Sequence, residues 1–255
     1  MGNRNEMGFF DHLEELRWRL LKALGSIFVL AIAVFIFSED LLQAVIEPLR
    51  AIDAKVSLQY LSPQYIFVVR LELAMLGGLL LGIPVLIYQI WMFIAPGLTK
   101  KERRYAPWVI ISFILCFSGG AAFSYFIVFP QALAFLMGMA VPGIDANIDI
   151  AKYISFFMRL ILAFGIVFEM PVLAFILTKA GLLTPWFMRS YRSYAVVIIF
   201  VLAAILTPPD AITQVMLGVP LWLLYEVSIG ISAFFLDPER KAEHAREIAE
   251  AKRKA

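Results

Sequence analysis

Cysteine, histidine and charge are scarce in this chain of 255 residues: one cysteine, two histidines, and only 16% Asp, Glu, Lys and Arg. The single thiol, Cys116, excludes an intramolecular disulfide, and its place in an apolar run makes it a small core hydrophobe. His12 and His244 both lie in polar segments, so the apolar runs hold no imidazole cluster for zinc and no His-Glu-x-x-His helix. Gly-x-Ser-x-Gly and Gly-x-x-x-x-Gly-Lys runs are also missing, which removes the usual nucleophile elbow and phosphate cradle. These gaps argue against an enzyme and imply no metal and no cofactor. No repeat and no low-complexity tract is visible, and the first apolar segment has no small-residue cleavage site after it, so it reads as a retained span.

What the chain has in abundance is apolar surface. Its residues are 62% hydrophobic and its mean hydropathy is +0.83, values that belong to a bilayer protein. Windows of the roughly 20 residues needed to cross hydrocarbon run from Leu20 to Phe37, Leu71 to Ile94, Trp108 to Val128, Phe156 to Leu177 and Ala211 to Leu236. A sixth, Tyr194 to Leu206, covers only about 20 Å at 1.5 Å per residue and ends at the Pro208-Pro209-Asp210 turn. Lys and Arg concentrate in the N-terminal segment, the second and fourth loops and the tail. Basic residues at membrane faces are topology signals first, so no nucleic-acid partner is assigned. The expected fold is all-α, a polytopic membrane protein of six transmembrane helices with both termini cytoplasmic and an unusually short fifth span. Residues 1–236 form one membrane domain that includes an amphipathic helix at about 10–19, and residues 237–255 form a charged cytoplasmic tail.

Three polar features interrupt this pattern. Glu169 lies inside the fourth apolar run, where an ionisable group costs about 2.5–3.5 kcal/mol on insertion scales and therefore faces a bundle interior, a wet cavity or a partner. Pro171 removes an N–H from the same turn and bends the helix beside the acid. At the N-terminus, Asp11-His12-Leu13-Glu14 has the order of a capping box, and Leu13, Leu16 and Leu20 share one face of a surface helix whose polar side carries Glu14, Glu15, Arg17 and Arg19. From this feature alone, local pairing of Glu15 with Arg19 explains those charges better than a binding role does. Between the second and third spans, Glu102 stands among Lys100, Lys101, Arg103 and Arg104. An aromatic belt accounts for Trp91 and Phe93 just before it, but not for Gln89.

Four blocks, Phe10 to Leu20, Tyr88 to Arg104, Phe168-Glu169-Met170-Pro171 and Leu206 to Asp210, resemble in order and spacing the TatC family of the twin-arginine protein translocase, and the likeness covers almost the whole chain. The resemblance implies a receptor for twin-arginine signal peptides of folded cargo. It would assemble with TatA-type and TatB-type single-span proteins, with lipid and with itself, and be driven by the proton-motive force. It further implies that Glu15 and Glu102 recognise the arginines with Arg17, Gln89 and Phe93 nearby, and that Glu169 and Gln214 meet partner helices. It also marks Pro48, in the first external loop, and Asp210 as functional loop positions. Gln214 reads equally as an interhelical hydrogen bond, and Pro48 as a turn-setting proline. Two other classes remain: a proton-coupled small-solute transporter using Glu169, which small-solute uptake by the purified protein alone would reveal, and a structural scaffold, which needs neither Glu15 nor Glu102.

Overall fold

A computed structural model of the protein describes residues 9–52, 56–95, 106–139, 147–206 and 211–236. They fall into two compact units, Met1–Leu162 and Ala163–Ala255. Among the described residues five helices are long and apolar enough to cross a membrane: His12–Ile36, Pro63–Phe93, Pro107–Gly138, Ile150–Lys179 and Ala211–Phe235. Arg192–Leu206 is apolar but shorter. Each expected window lies within or at the edge of one of these helices. The observed ones are mostly longer because helical hydrogen bonding continues past the end of the apolar run.

In the first unit, α1 (Phe9–Ile36) is continuous. The amphipathic stretch at 10–19 forms its first turns and runs into the first span without a break, and Asp11 lies inside the helix instead of at its cap position. No helix-breaking residue separates the polar turns from the apolar ones, so one helix serves both. After α1, α2 (Ser38–Ile52) and strand β1 (Ser57–Gln59) lead to α3 (Pro63–Ile94). At 32 residues α3 is about 48 Å long, well beyond the roughly 30 Å hydrocarbon core. It packs along α1 through a seam of small residues. Ala23, Ile27, Ala31 and Val34 are buried on α1, and Gly77, Gly78 and Gly82 on α3 bring the two helices close. This is how helices associate where lipid supplies no hydrophobic drive.

The third span is a composite. Helix α4 (Ala106–Phe123) passes through a π-helical turn (Ser124–Val128) into α5 (Phe129–Gly138). The apolar window from Trp108 to Val128 ends two residues before Pro130, yet the helix continues past it. In the fold, the missing Pro130 donor is accommodated by the wider turn, with the Phe129 N–H reaching the Ser124 carbonyl five residues back. Strand β2 (Asn147–Asp149) pairs in parallel with β1, Ser57 opposite Asn147 and Gln59 opposite Asp149. Three-residue strands carry too little alternation to be seen in sequence.

Helix α6 (Ile150–Val167) runs across the boundary into the second unit, where Phe168 and Glu169 interrupt it before α7 (Met170–Lys179). The regular helix is interrupted beside Glu169, and Pro171 sits in the first turn of α7, where its missing N–H costs nothing. Gly181, at φ 75°, ends α7 with its own N–H on the Thr178 carbonyl and the Leu182 N–H on Leu177. Thr184 caps α8 (Pro185–Ser190), its hydroxyl oxygen accepting from the Phe187 N–H. Helices α9 (Arg192–Leu206) and α10 (Ala211–Phe235) complete the unit. Buried polar contacts tie it: the Thr178 and Ser232 hydroxyls are 2.7 Å apart, and the Tyr225 hydroxyl donates to the Met188 carbonyl at 2.7 Å. Arg192 Nη2 donates to Glu226 Oε2 at 2.8 Å.

Candidate functional site

The end of α1 that carries the charged turns lies against the end of α3. Between them runs a narrow apolar groove lined by Leu16, Arg19, Leu20 and Ala23 on α1 and by Gln89 and Phe93 among others on α3. Glu15 sits beside it, partly buried with 21% of its side chain exposed. One of its oxygens, Oε1, receives two N–H groups from Arg19: Nε at 2.8 Å and Nη2. The i,i+4 spacing, with the acid N-terminal to the base, suits a helix surface, so the local pair that the sequence offers is formed. The other oxygen, Oε2, is buried and has no hydrogen-bond partner among the described residues; His12 Nδ1 lies 3.7 Å from it. The His12 ring stacks on Phe93, centroids 4.2 Å apart and planes 10° from parallel.

The structure thus brings Glu15, Gln89 and Phe93 together, and adds Arg19 and His12, to which the sequence pattern assigned no contact across helices. Arg17 is exposed on α1 and points to no partner that is described. Glu102 and Asp210 lie outside the described residues. Chemically, the groove offers an acceptor oxygen and an aromatic face at the mouth of an apolar channel. That combination suits a peptide that pairs a cationic head with an apolar stretch.

Pro48 is not in a loop and sets no turn: it lies within α2. A proline there leaves the Ala44 carbonyl without the N–H that an α-helix would direct at it. That carbonyl accepts instead from the Tyr125 hydroxyl, at 2.8 Å, out of the π-helical turn. The next carbonyl, Val45, accepts from the buried Tyr153 hydroxyl at 2.7 Å. Two tyrosines from the third and fourth spans therefore hold α2 over a cavity of 280 Å³ whose lining includes Ala44, Val45, Tyr125 and Phe157. The other end of α2 is fixed by Arg70 of α3, whose Nε donates to Ser38 Oγ at 2.9 Å while its guanidinium lies 5.7 Å from the Phe35 ring centroid. A tyrosine in an apolar span was the available signal for this clamp, since its hydroxyl needs an acceptor. Tyr125 and Tyr153 carry no periodicity that marks them out.

In the second unit Glu169 is buried, 8% exposed, at the break between α6 and α7. Gln214 on α10 donates from Nε2 to the Phe200 carbonyl of α9 at 2.8 Å, which is the interhelical bond of the two readings the sequence left open.

Fold and site together define a polytopic α-helical membrane protein with an acid poised at the end of an apolar groove. The family model for the Sec-independent protein translocase protein TatC matches residues 11–220. The TatC protein of Halothiobacillus neapolitanus is 40% identical over 232 residues, covering 89% of this chain and 63% of its own length. That of Helicobacter pylori is 40% identical over 225 residues, covering 87% of each. A crystal structure of the twin-arginine translocase receptor TatC superposes with a TM-score of 0.81 at 37% identity, covering 88% of this chain and 99% of the other. The chain belongs to the TatC family of Sec-independent protein translocase proteins, and the all-α, six-span architecture is that of its solved relatives.

Proposed function

We propose that this chain is the receptor and core subunit of a twin-arginine translocase in the bacterial cytoplasmic membrane. Both termini are cytoplasmic, and it binds the twin-arginine signal peptides of folded proteins. The observation that carries the reading is Glu15, a partly buried carboxylate with one oxygen buried and without a hydrogen-bond partner, next in sequence to Leu16 of a groove that Gln89 and Phe93 also line. A guanidinium forms two parallel N–H bonds with a carboxylate, whereas an ammonium offers a point charge; two adjacent arginines ask for a second acid, the role assigned to Glu102. Gln89 and Phe93 receive the start of the peptide's apolar stretch, and Arg17 presents charge on the outer face of α1. Glu169 and Gln214 serve contacts with TatA-type and TatB-type single-span helices, and Pro48 and Asp210 are further functional positions.

The test is binding of a twin-arginine signal peptide to the detergent-purified protein, beside its twin-lysine counterpart. Glu15→Ala and Glu102→Ala are each expected to weaken the arginine peptide about tenfold or more, since a hydrogen bond to a charged group contributes about 1.5–3 kcal/mol and 1.4 kcal/mol is tenfold. Equal binding of the two peptides by a folded sample overturns the receptor reading.

The short α9, 15 residues or about 22 Å, gives this family member a thin flank. A span shorter than the bilayer core thins it locally at fractions of a kcal/mol per Å, which lowers the barrier to passing a folded cargo. Inserting four leucines into Tyr194 to Leu206 is expected to reduce export while leaving insertion and peptide binding intact; unchanged export rejects the thinning role.

A further inference from the structure

We propose that Arg19 is an internal competitor for the signal peptide: it occupies the recognition acid in the unliganded chain and must be displaced when a peptide arginine binds. This inference rests on the receptor reading of Glu15. Arg19 reaches Glu15 Oε1 with both Nε and Nη2, the same guanidinium atoms with which a peptide arginine forms its fork. Its side chain is only 20% exposed and lines the groove together with Gln89 and Phe93. The chain therefore places a guanidinium where the ligand's guanidinium is expected, and the remaining oxygen, Oε2, is buried without a hydrogen-bond partner.

Competition of this kind sets specificity. A carboxylate already holding a guanidinium is taken best by a group that replaces both N–H bonds with the same planar geometry, which arginine does; lysine's ammonium has donors but no preorganised fork and more tightly held water. The site rejects a lone positive charge because accepting it means breaking a better pair, an instance of specificity built by opposing the wrong ligand. Arg19 is thus a specificity-determining residue, distinct from the acids that hold the peptide.

The alternative role is support: Arg19 orients Glu15, and its loss weakens binding. The two roles predict opposite signs. The experiment measures twin-arginine and twin-lysine signal-peptide affinity for the full-length purified protein carrying Arg19→Gln, Arg19→Lys or Lys22→Gln, with Glu15→Ala alongside. Lys22 is exposed on the same helix, three residues on, and its substitution removes one positive charge without touching Glu15. Competition predicts that Arg19→Gln tightens the twin-arginine peptide about threefold or more, the scale of a partly exposed i,i+4 ion pair released for the ligand. It also predicts that the twin-lysine peptide gains at least as much. Arg19→Lys, which keeps the charge and loses the fork, falls between wild type and Arg19→Gln, and Lys22→Gln gains less than Arg19→Gln. Unchanged or weaker binding in Arg19→Gln, or an equal gain in Lys22→Gln, overturns the competitor role. Binding indifferent to Glu15→Ala overturns the receptor reading itself, so the two failures are distinguishable.

Discussion

Gly78→Ala is expected to lower the melting temperature of the detergent-purified protein, and Gly78→Leu to prevent its recovery as a single monodisperse species. A Cβ on residue 78 falls 2.6 Å from the backbone nitrogen of Ala31 and 2.7 Å from its Cα and Cβ. Backbone atoms of a helix cannot rotate away, so α1 and α3 must move apart along the seam that buries Ala23, Ile27, Ala31 and Val34. Forcing extra volume into a packed contact costs about 1–3 kcal/mol, more for a larger side chain. At Gly77 or Gly82 the tight contact of the same substitution is with a side-chain carbon, Val34 Cγ1 or Ile27 Cγ1, each at 2.7 Å; those can shift, so the expected loss is smaller. Gly119 and Gly230 have nothing within 4 Å of the added atom. There Gly→Ala is expected to be neutral or slightly stabilising, because alanine is the better helix former. A thermal midpoint of Gly78→Ala equal to that of Gly119→Ala shows that the seam is not the close-packed contact described.

The span count and the short fifth span were readable from hydropathy because the bilayer imposes a length on each helix. Membership of the family was readable because Glu15, Glu169 and Pro171 stand as polar or helix-breaking residues at fixed places in otherwise apolar or amphipathic runs. The α1–α3 seam was not, since Gly77, Gly78 and Gly82 are ordinary in a transmembrane segment until the opposing Ala31 is known. Nor was the state of Glu15. Sequence permits an i,i+4 pair with Arg19 and equally permits an open acid; only coordinates show that Arg19 takes one oxygen and that His12, held flat on Phe93, lies near the other. Pro48 was misplaced for a physical reason. A proline in a short polar-flanked stretch reads as a turn, yet it is tolerated inside α2 because hydroxyls from elsewhere in the chain take up the carbonyls around it.

That substitution of donors makes a prediction with a definite sign. Tyr125→Phe deletes the hydroxyl that satisfies the Ala44 carbonyl, and leaving that group unpaired costs about 1–3 kcal/mol, whereas Tyr153→Phe removes a second bond from the Val45 carbonyl, which its own helix still supplies with an N–H, and costs less. The pair together is expected to release α2 and to abolish export in protein that still inserts. Pro48→Ala returns an N–H to the position from which a helix bonds the Ala44 carbonyl. In that background Tyr125→Phe is expected to cost less than in wild type, by about 0.5 kcal/mol or more, because Ala44 has a second donor available. Tyr153→Phe, whose acceptor Val45 is not the carbonyl that Pro48 deprives, is expected to cost the same in both backgrounds. The double-mutant cycle thus separates two explanations of Pro48. If proline acts only by stiffening α2, both tyrosines combine additively with Pro48→Ala. If it acts by freeing a carbonyl for Tyr125, only that pair couples, and thermal midpoints of the four proteins in each cycle decide between them.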